Sequence, residues 1–168
     1  MNSCQKLWWD QARSDHDIFV RSRIQGFAVC HSLHYLQMAT EKLAKAYLWR
    51  LRKAPQKTHK GFFHFLRFLG SVRNERDRIA TLYGFRRFEA FQASIYSILP
   101  IAYQLEHLAP DLANDGPNTE YPWPHSEPVF SPVNYAFPLW DQLNTAHGRN
   151  LIRFIKTAVE HFPEYADV

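Results

Sequence analysis

The sequence has few of the residues that mark several common protein classes. Its 168 residues include two cysteines, Cys4 and Cys30, which are too few for a disulfide framework and lack the spacing of a zinc site. The six glycines are scattered and form no phosphate-binding loop. No apolar run is long enough to cross a bilayer, and the first residues do not read as a signal peptide. We therefore expect a cytoplasmic protein with no membrane partner, no metal and no cofactor.

The composition is that of a folded chain. Hydrophobic residues make up 46% of the sequence and charged residues 21%, so the chain can bury a core, and its length predicts one domain over residues 1–168. Lysine and arginine number 20 against 16 acidic residues, for a net charge of +4. Such a mild excess permits a phosphate-bearing partner without requiring one. Six arginines lie between Arg67 and Arg87, but solvated helix faces would account for them.

The first half of the chain predicts two long helices. The first runs from about Ser3 to Arg23 and ends at Gly26. The second runs from about Phe27 to Lys53 and carries two apolar stripes, which indicate a helix packed on two sides or one with a dimerisation face. The main stripe consists of Val29, Leu33, Leu36, Leu43, Tyr47 and Leu51, and the second of Ala28, Tyr35, Ala39 and Ala46.

The second half predicts shorter helices and an irregular segment. We expect short helices near residues 62–69 and 73–83, then a long one over residues 88–105 that Pro100 should kink or divide. Seven of the ten prolines lie in residues 110–138, which predicts an extended, aromatic-rich segment. The last helix covers about residues 139–162, with Gly148 as a candidate break. No pair of alternating strands is visible, so the predicted fold is an all-α, up-and-down bundle of four to five helices.

Several short motifs, in this order, resemble those of HEPN domains (higher eukaryotes and prokaryotes nucleotide-binding). Residues 9–12, Trp-Asp-Gln-Ala, resemble the opening of the family's first helix, and residues 39–48 resemble its alanine-rich core helix. Residues 57–59, Lys-Thr-His, are similar to the family's connector before the third helix. Residues 121–122, Tyr-Pro, stand where relatives often have the same pair. The similarity is good over about residues 8–69 and thin afterwards.

The resemblance implies a small helical bundle that dimerises through helix faces. Many family members pair with a minimal nucleotidyltransferase in toxin–antitoxin modules, and many others are ribonucleases. The nucleases carry an arginine followed, after four to six residues, by a histidine in the last core helix. An imidazole there can move protons while the guanidinium holds the phosphate.

This sequence departs from the nuclease motif. Arg149 begins a similar stretch, but Phe154 stands where the histidine is expected. Seven residues lie between Arg153 and His161, which exceeds the family spacing and places the two side chains on different helical phases. We therefore predict no catalytic residue.

Two groups of basic residues are candidates for binding nucleic acid or phosphate. Arg149, Arg153 and Lys156 recur at i, i+4 and i+7 of the last helix, opposite its apolar face, and so form one basic stripe. Lys57 and His59 lie in the Lys-Thr-His connector, where they would bind an anion or where His59 would cap the following helix.

These observations favour a non-catalytic, HEPN-like binding protein. Its partners would be RNA, a nucleotide or a nucleotidyltransferase-type protein, in a toxin–antitoxin-like module, with the chain itself a homodimer. One alternative is an atypical, metal-independent ribonuclease or toxin that uses arginines and a nearby histidine. Another is a protein–protein interaction module in which the proline-rich and aromatic-rich segment is the docking surface.

Overall fold

The computed structural model of this chain describes residues 1–51, 61–108, 117–123 and 131–168, and over them the protein is all-α. These residues form eight α-helices and no strand. The helices are α1 (Ser3–Gln25), α2 (Val29–Leu48), α3 (Phe62–Leu69), α4 (Arg76–Leu82), α5 (Phe88–Glu106), α6 (Pro138–Leu143), α7 (Ala146–Glu160) and α8 (Phe162–Tyr165). The predicted all-α class is confirmed. Four of these helices, α1, α2, α5 and α7, have at least 15 residues and build the bundle.

Helix α1 begins and ends where its sequence provides caps. The side chain of Asn2 accepts from the backbone N–H of Gln5 at 2.9 Å, and the Gln5 side chain accepts from the Asn2 N–H at 2.8 Å. This reciprocal pair satisfies two N–H groups that have no partner within the helix. Gly26 ends the helix with φ of 68°, a left-handed conformation that glycine adopts without steric cost. The predicted break at Gly26 is confirmed.

Helices α1 and α2 pack as an antiparallel hairpin along their whole length. The Asn2 side chain donates to the Trp49 carbonyl at one end, and the hydroxyls of Ser22 and Ser32 are 2.8 Å apart at the other. Between them, the Lys42 ammonium pairs with the buried Asp15 carboxylate. Residues early in α1 therefore lie beside residues late in α2.

The remaining long helices complete an up-and-down bundle. The Gln37 side chain donates to the Glu106 carbonyl, which brings the end of α5 to the first half of α2. The Trp9 indole N–H donates to the Val159 carbonyl at 2.7 Å, so the start of α1 lies beside the end of α7. The ring centroid of Phe91, near the start of α5, lies 6.4 Å from that of Phe154 in α7. Each long helix is thus antiparallel to the next.

Helix α2 is the centre of the core, packed on two sides as one predicted alternative had it. Leu33, Leu36 and Leu43 of its main stripe and Ala39 of its second stripe are all fully buried. The prediction that the helix and its apolar stripe continue through Leu51 was wrong. The α-helix stops at Leu48, a 3₁₀ turn follows over Trp49–Leu51, and Leu51 is 59% exposed.

The predicted division of α5 at Pro100 was also wrong. The helix runs without interruption from Phe88 to Glu106. Pro100 and Tyr96 both lie on the exposed face of α5, where water can bond to a carbonyl that the proline nitrogen cannot serve as a donor.

The structure divides the last predicted helix, residues 139–162, into α6, α7 and α8. The first break lies between α6 and α7, just before Gly148. Thr145 caps the start of α7 by accepting from the Gly148 N–H at 3.2 Å. A Cβ on Gly148 would lie 2.1 Å from the Gln142 carbonyl oxygen and 2.4 Å from the Leu143 Cα. Only glycine fits this approach of α7 to α6. A second break falls at His161, between α7 and α8.

The described parts of the 110–138 segment pack on the bundle. Trp123 is 2% exposed and meets the Tyr135 ring edge-on at 5.3 Å, while Phe137 is 4% exposed. The Asn118 side chain accepts from the backbone N–H groups of Glu120 and Tyr121, which fixes a turn there. Much of the aromatic surface in the described parts of this segment therefore belongs to the core.

Candidate functional site

The α7 basic stripe consists of Arg149, Arg153 and Lys156, and all three side chains are exposed. The opposite face of α7 is fully buried and carries Leu151 and Ile155. This amphipathic pattern fixes the rotation of α7, so the stripe points away from the core. Lys57 and His59, the other predicted pair, lie outside the described residues.

The stripe is held by contacts within its own helix and the turn before it. Arg149 donates to the Asn144 carbonyl, and Arg153 donates to the Asn150 side-chain oxygen at 3.2 Å. Both acceptors are neutral, so the charges of these two arginines are not cancelled. Lys156 Nζ lies 3.8 Å from the Glu160 carboxylate. Exposed ion pairs of this kind contribute little to stability.

No imidazole stands where the nuclease motif would place one. Phe154 is 6% exposed and points into the core, away from the stripe. His161 lies at the end of α7, where its Nδ1 is 2.6 Å from the Glu164 carboxylate three residues later. Neither position 154 nor His161 therefore supplies an imidazole beside Arg149 and Arg153.

A groove of about 630 Å³ lies between α1 and α7, beside the stripe. We call it the α1–α7 groove. Its cations are Arg13 and Arg21 of α1 and Lys156 of α7, and its carboxylates are Asp17 and Glu160. The remaining lining residues are Trp9, His16, Val20 and Val159. Lys156 thus belongs both to the stripe and to the groove.

His16 is the most buried ionisable side chain of this groove. It is only 7% exposed, and it makes no hydrogen bond with any residue that the structure describes. Desolvation lowers the pKa of His16, with the carboxylates of Asp17 and Glu160 opposing the shift and the Lys156 ammonium adding to it. The imidazole is therefore neutral near pH 7 and carries one N–H donor and one free acceptor.

The sequence alone did not reveal this groove. Arg13, His16 and Arg21 recur at intervals that keep them near one side of α1, but such spacing is common on exposed helix faces. His16 acquires significance only because α7 packs beside it and brings Lys156 and Glu160 close.

The arginines between Arg67 and Arg87 are exposed, and two of them are paired. Arg78 contacts the Glu75 carboxylate at 2.8 Å and donates to the Glu164 carbonyl, while Arg76 lies 3.3 Å from Glu89. Part of the local positive charge is therefore balanced by carboxylates, whereas Arg149 and Arg153 contact only neutral acceptors.

The described part of the chain offers neither a cluster of metal ligands nor a membrane-spanning helix. No three histidine, cysteine or acidic side chains there gather as metal ligands would. No helix there combines the length and apolar character needed to cross a bilayer. The chain matches no protein-family model, no curated protein and no solved structure.

Proposed function

We propose that the chain is a non-catalytic binding protein that engages RNA or a nucleotide through the α7 basic stripe. One observation carries the proposal. Arg149 and Arg153 are fixed by neutral acceptors on an exposed face, next to Lys156, so three cations are presented together with little competition from carboxylates. Arginine binds phosphate with paired N–H groups, and such contacts supply most of the affinity for nucleic acid backbones.

The absence of catalysis rests on position 154. A nuclease of the kind that the HEPN resemblance implies needs an imidazole beside the stripe, and there the chain has a buried phenylalanine. The proposal therefore predicts binding of RNA without cleavage.

The test is a titration of fluorescently labelled single-stranded RNA with the full chain, followed by fluorescence anisotropy and by gel analysis of the RNA. We expect binding that weakens steeply with added salt and RNA that stays intact. The triple variant R149Q/R153Q/K156Q should lose about tenfold or more in affinity and show a shallower salt dependence.

The matched control is R73Q/R86Q/R87Q, which removes the same charge from three exposed arginines outside α7. Equal weakening in both triple variants would show non-specific attraction to a basic protein and contradict the proposal. Cleaved RNA would instead support the atypical ribonuclease.

The HEPN resemblance also supports a homodimer and a nucleotidyltransferase-type partner in a toxin–antitoxin-like module. A surface for one of these lies at the end of α1, where Val20, Ile24 and Phe27 are 39%, 80% and 51% exposed. Exposed apolar groups this close together are typical of protein contact surfaces. Light scattering on a sizing column tests the homodimer. We expect a dimer mass that Ile24→Asp lowers and that Leu7→Asp, at an exposed leucine near the other end of α1, leaves unchanged.

A further inference from the structure

The α1–α7 groove contains a buried polar side chain that lacks a partner. His16 is 93% buried, since only 7% of it is exposed, and it has no hydrogen bond among the described residues. Its ring nitrogens stay accessible to water on the open side of the groove, and polar groups in folded proteins are satisfied by protein, water or ligand. Because His16 lines an open groove, a bound molecule can supply the missing partner.

The charges around His16 favour an anion. Arg13 and Arg21 form no ion pair with the described residues, and the Lys156 pair with Glu160 is longer than a hydrogen bond. The Arg13 guanidinium lies 4.9 Å above the Trp9 ring, which restricts its position at the wall of the groove. Three cations thus line one groove and keep free N–H groups for a ligand.

A phosphomonoester suits these groups better than a carboxylate or a phosphodiester. It carries a charge of about −1.5 to −2 near pH 7 and has three strong acceptor oxygens. The neutral His16 can donate one hydrogen bond to such an oxygen. The two carboxylates, Asp17 and Glu160, repel a bare anion but accept hydrogen bonds from hydroxyl groups, so they favour an anion carried on a hydroxylated group.

We propose that the α1–α7 groove binds a phosphomonoester carried on a hydroxylated group such as a sugar. Arg13 and Lys156 hold the phosphate from opposite walls, and His16 donates to one of its oxygens. Arg21 and the two carboxylates contact the hydroxylated part. This site is separate from the RNA-binding proposal and shares only Lys156 with it.

The test is calorimetric titration of the full chain with three probes at constant ionic strength: ribose 5-phosphate, inorganic phosphate and ribose. We expect ribose 5-phosphate to bind, inorganic phosphate to bind more weakly and ribose not to bind. Arg13→Gln and His16→Gln should each weaken ribose 5-phosphate binding about tenfold or more, since the first removes a positive charge from the phosphate and the second replaces the imidazole donor by an amide of different reach. Arg86→Gln, at an exposed arginine outside the groove, should leave it unchanged.

Two results would overturn the proposal. One is no binding of either phosphate probe to the wild-type chain at about 10 mM, a concentration that detects even weak sites. The other is equal affinity in the wild type and in Arg13→Gln, a surface variant that should fold even if His16→Gln does not. The variant R149Q/R153Q should still bind ribose 5-phosphate, so failure of the groove and failure of the stripe are distinguished.

A second arm identifies the source of the phosphate. The chain is titrated with two oligoribonucleotides of one sequence, one with a 5′-phosphate and one with a 5′-hydroxyl. Tighter binding of the phosphorylated oligonucleotide, lost in His16→Gln, would assign the groove to RNA ends. Equal binding of the two, with ribose 5-phosphate still bound, would assign it to a free sugar phosphate.

Discussion

The ring of Phe154 stacks on the ring of Tyr83, with centroids 4.4 Å apart and planes at 14°. Phe91 lies against Phe154 as well, so the position where nucleases of the HEPN type would carry histidine is part of an aromatic core here. The departure from that motif is therefore more than one missing side chain. The backbone of α7 directs residue 154 inward, and the basic stripe faces outward.

Placing a histidine at position 154 should cost stability and give no activity. Phe154→His removes a stacked ring and buries a polar imidazole, so we expect the free energy of unfolding to fall by about 3 kcal/mol. Phe154→Leu keeps an apolar side chain and should cost roughly 1–2 kcal/mol. Urea unfolding followed by circular dichroism measures both. A Phe154→His protein as stable as the wild type, or one that cleaves RNA, would contradict this assignment of residue 154.

Gly148 should tolerate no side chain. Its Cβ would overlap backbone atoms of Gln142 and Leu143, which cannot move without separating α6 from α7. We expect Gly148→Ala to destabilise the protein by about 3 kcal/mol or more, or to prevent folding. Gly70→Ala is the control, because a Cβ there would approach the Ile95 side chain to 3.2 Å and the Leu66 carbonyl oxygen only to 3.6 Å, an ordinary contact distance. It should change stability by no more than about 1 kcal/mol in thermal unfolding.

The sequence predicted those elements whose signals are local. The spacing of apolar residues and Gly26 located α1 and α2 within a few residues, and residues 62–69 were predicted as a short helix. The break before Gly148 was only partly predicted, because it depends on the close approach of α6 and α7. Pro100 does not divide α5, because the rest of the helix is apolar enough to hold it together, and the alternative prediction of a kink stays a prediction.

The two parts of the candidate site, the stripe and the groove, also differ in whether a local sequence signal predicts them. The α7 basic stripe follows from periodicity within one helix, so the sequence was enough to propose it. The α1–α7 groove joins Arg13 and His16 to Lys156, about 140 residues further along the chain. Such a site depends on which helices become neighbours, and periodicity within a single helix carries no such information.

Acid should destabilise the protein partly through His16. Desolvation lowers the pKa of His16 below its ordinary value of 6.5, so the unfolded chain binds a proton more readily than the folded one. The stability that depends on neutral His16 is present above 6.5 and is lost as the pH falls through that value toward the lower folded-state pKa. His16→Gln should therefore lose less stability than the wild type between about pH 7.5 and pH 5.5 in urea unfolding.

The control for this pH series is His31→Gln, at an exposed histidine, which should keep the wild-type dependence. If His16→Gln and the wild type lose equal stability over the same range, then His16 does not titrate differently in the folded and unfolded states.

The start of α3 should depend on a carboxylate from α5. Glu106 is 5% exposed, and its Oε2 accepts from the backbone N–H groups of Gly61 at 3.0 Å and Phe63 at 2.8 Å. These N–H groups lie at the helix N-terminus, where they have no intrahelical acceptor and the dipole favours negative charge. Glu106→Ala leaves both unpaired and should cost about 2–4 kcal/mol, while Glu106→Gln keeps one acceptor and should cost about 1–2 kcal/mol.

Hydrogen exchange separates this role from a general loss of stability. The amides of α3 should exchange faster in Glu106→Gln than in the wild type, under conditions where the amides of α1 keep their protection, because the lost negative charge acts on one helix end. Glu89→Gln, at an exposed carboxylate paired with Arg76 at 3.3 Å, should change neither stability nor exchange in α3. Unaltered exchange in α3 of Glu106→Ala would show that the carboxylate does not hold this helix end.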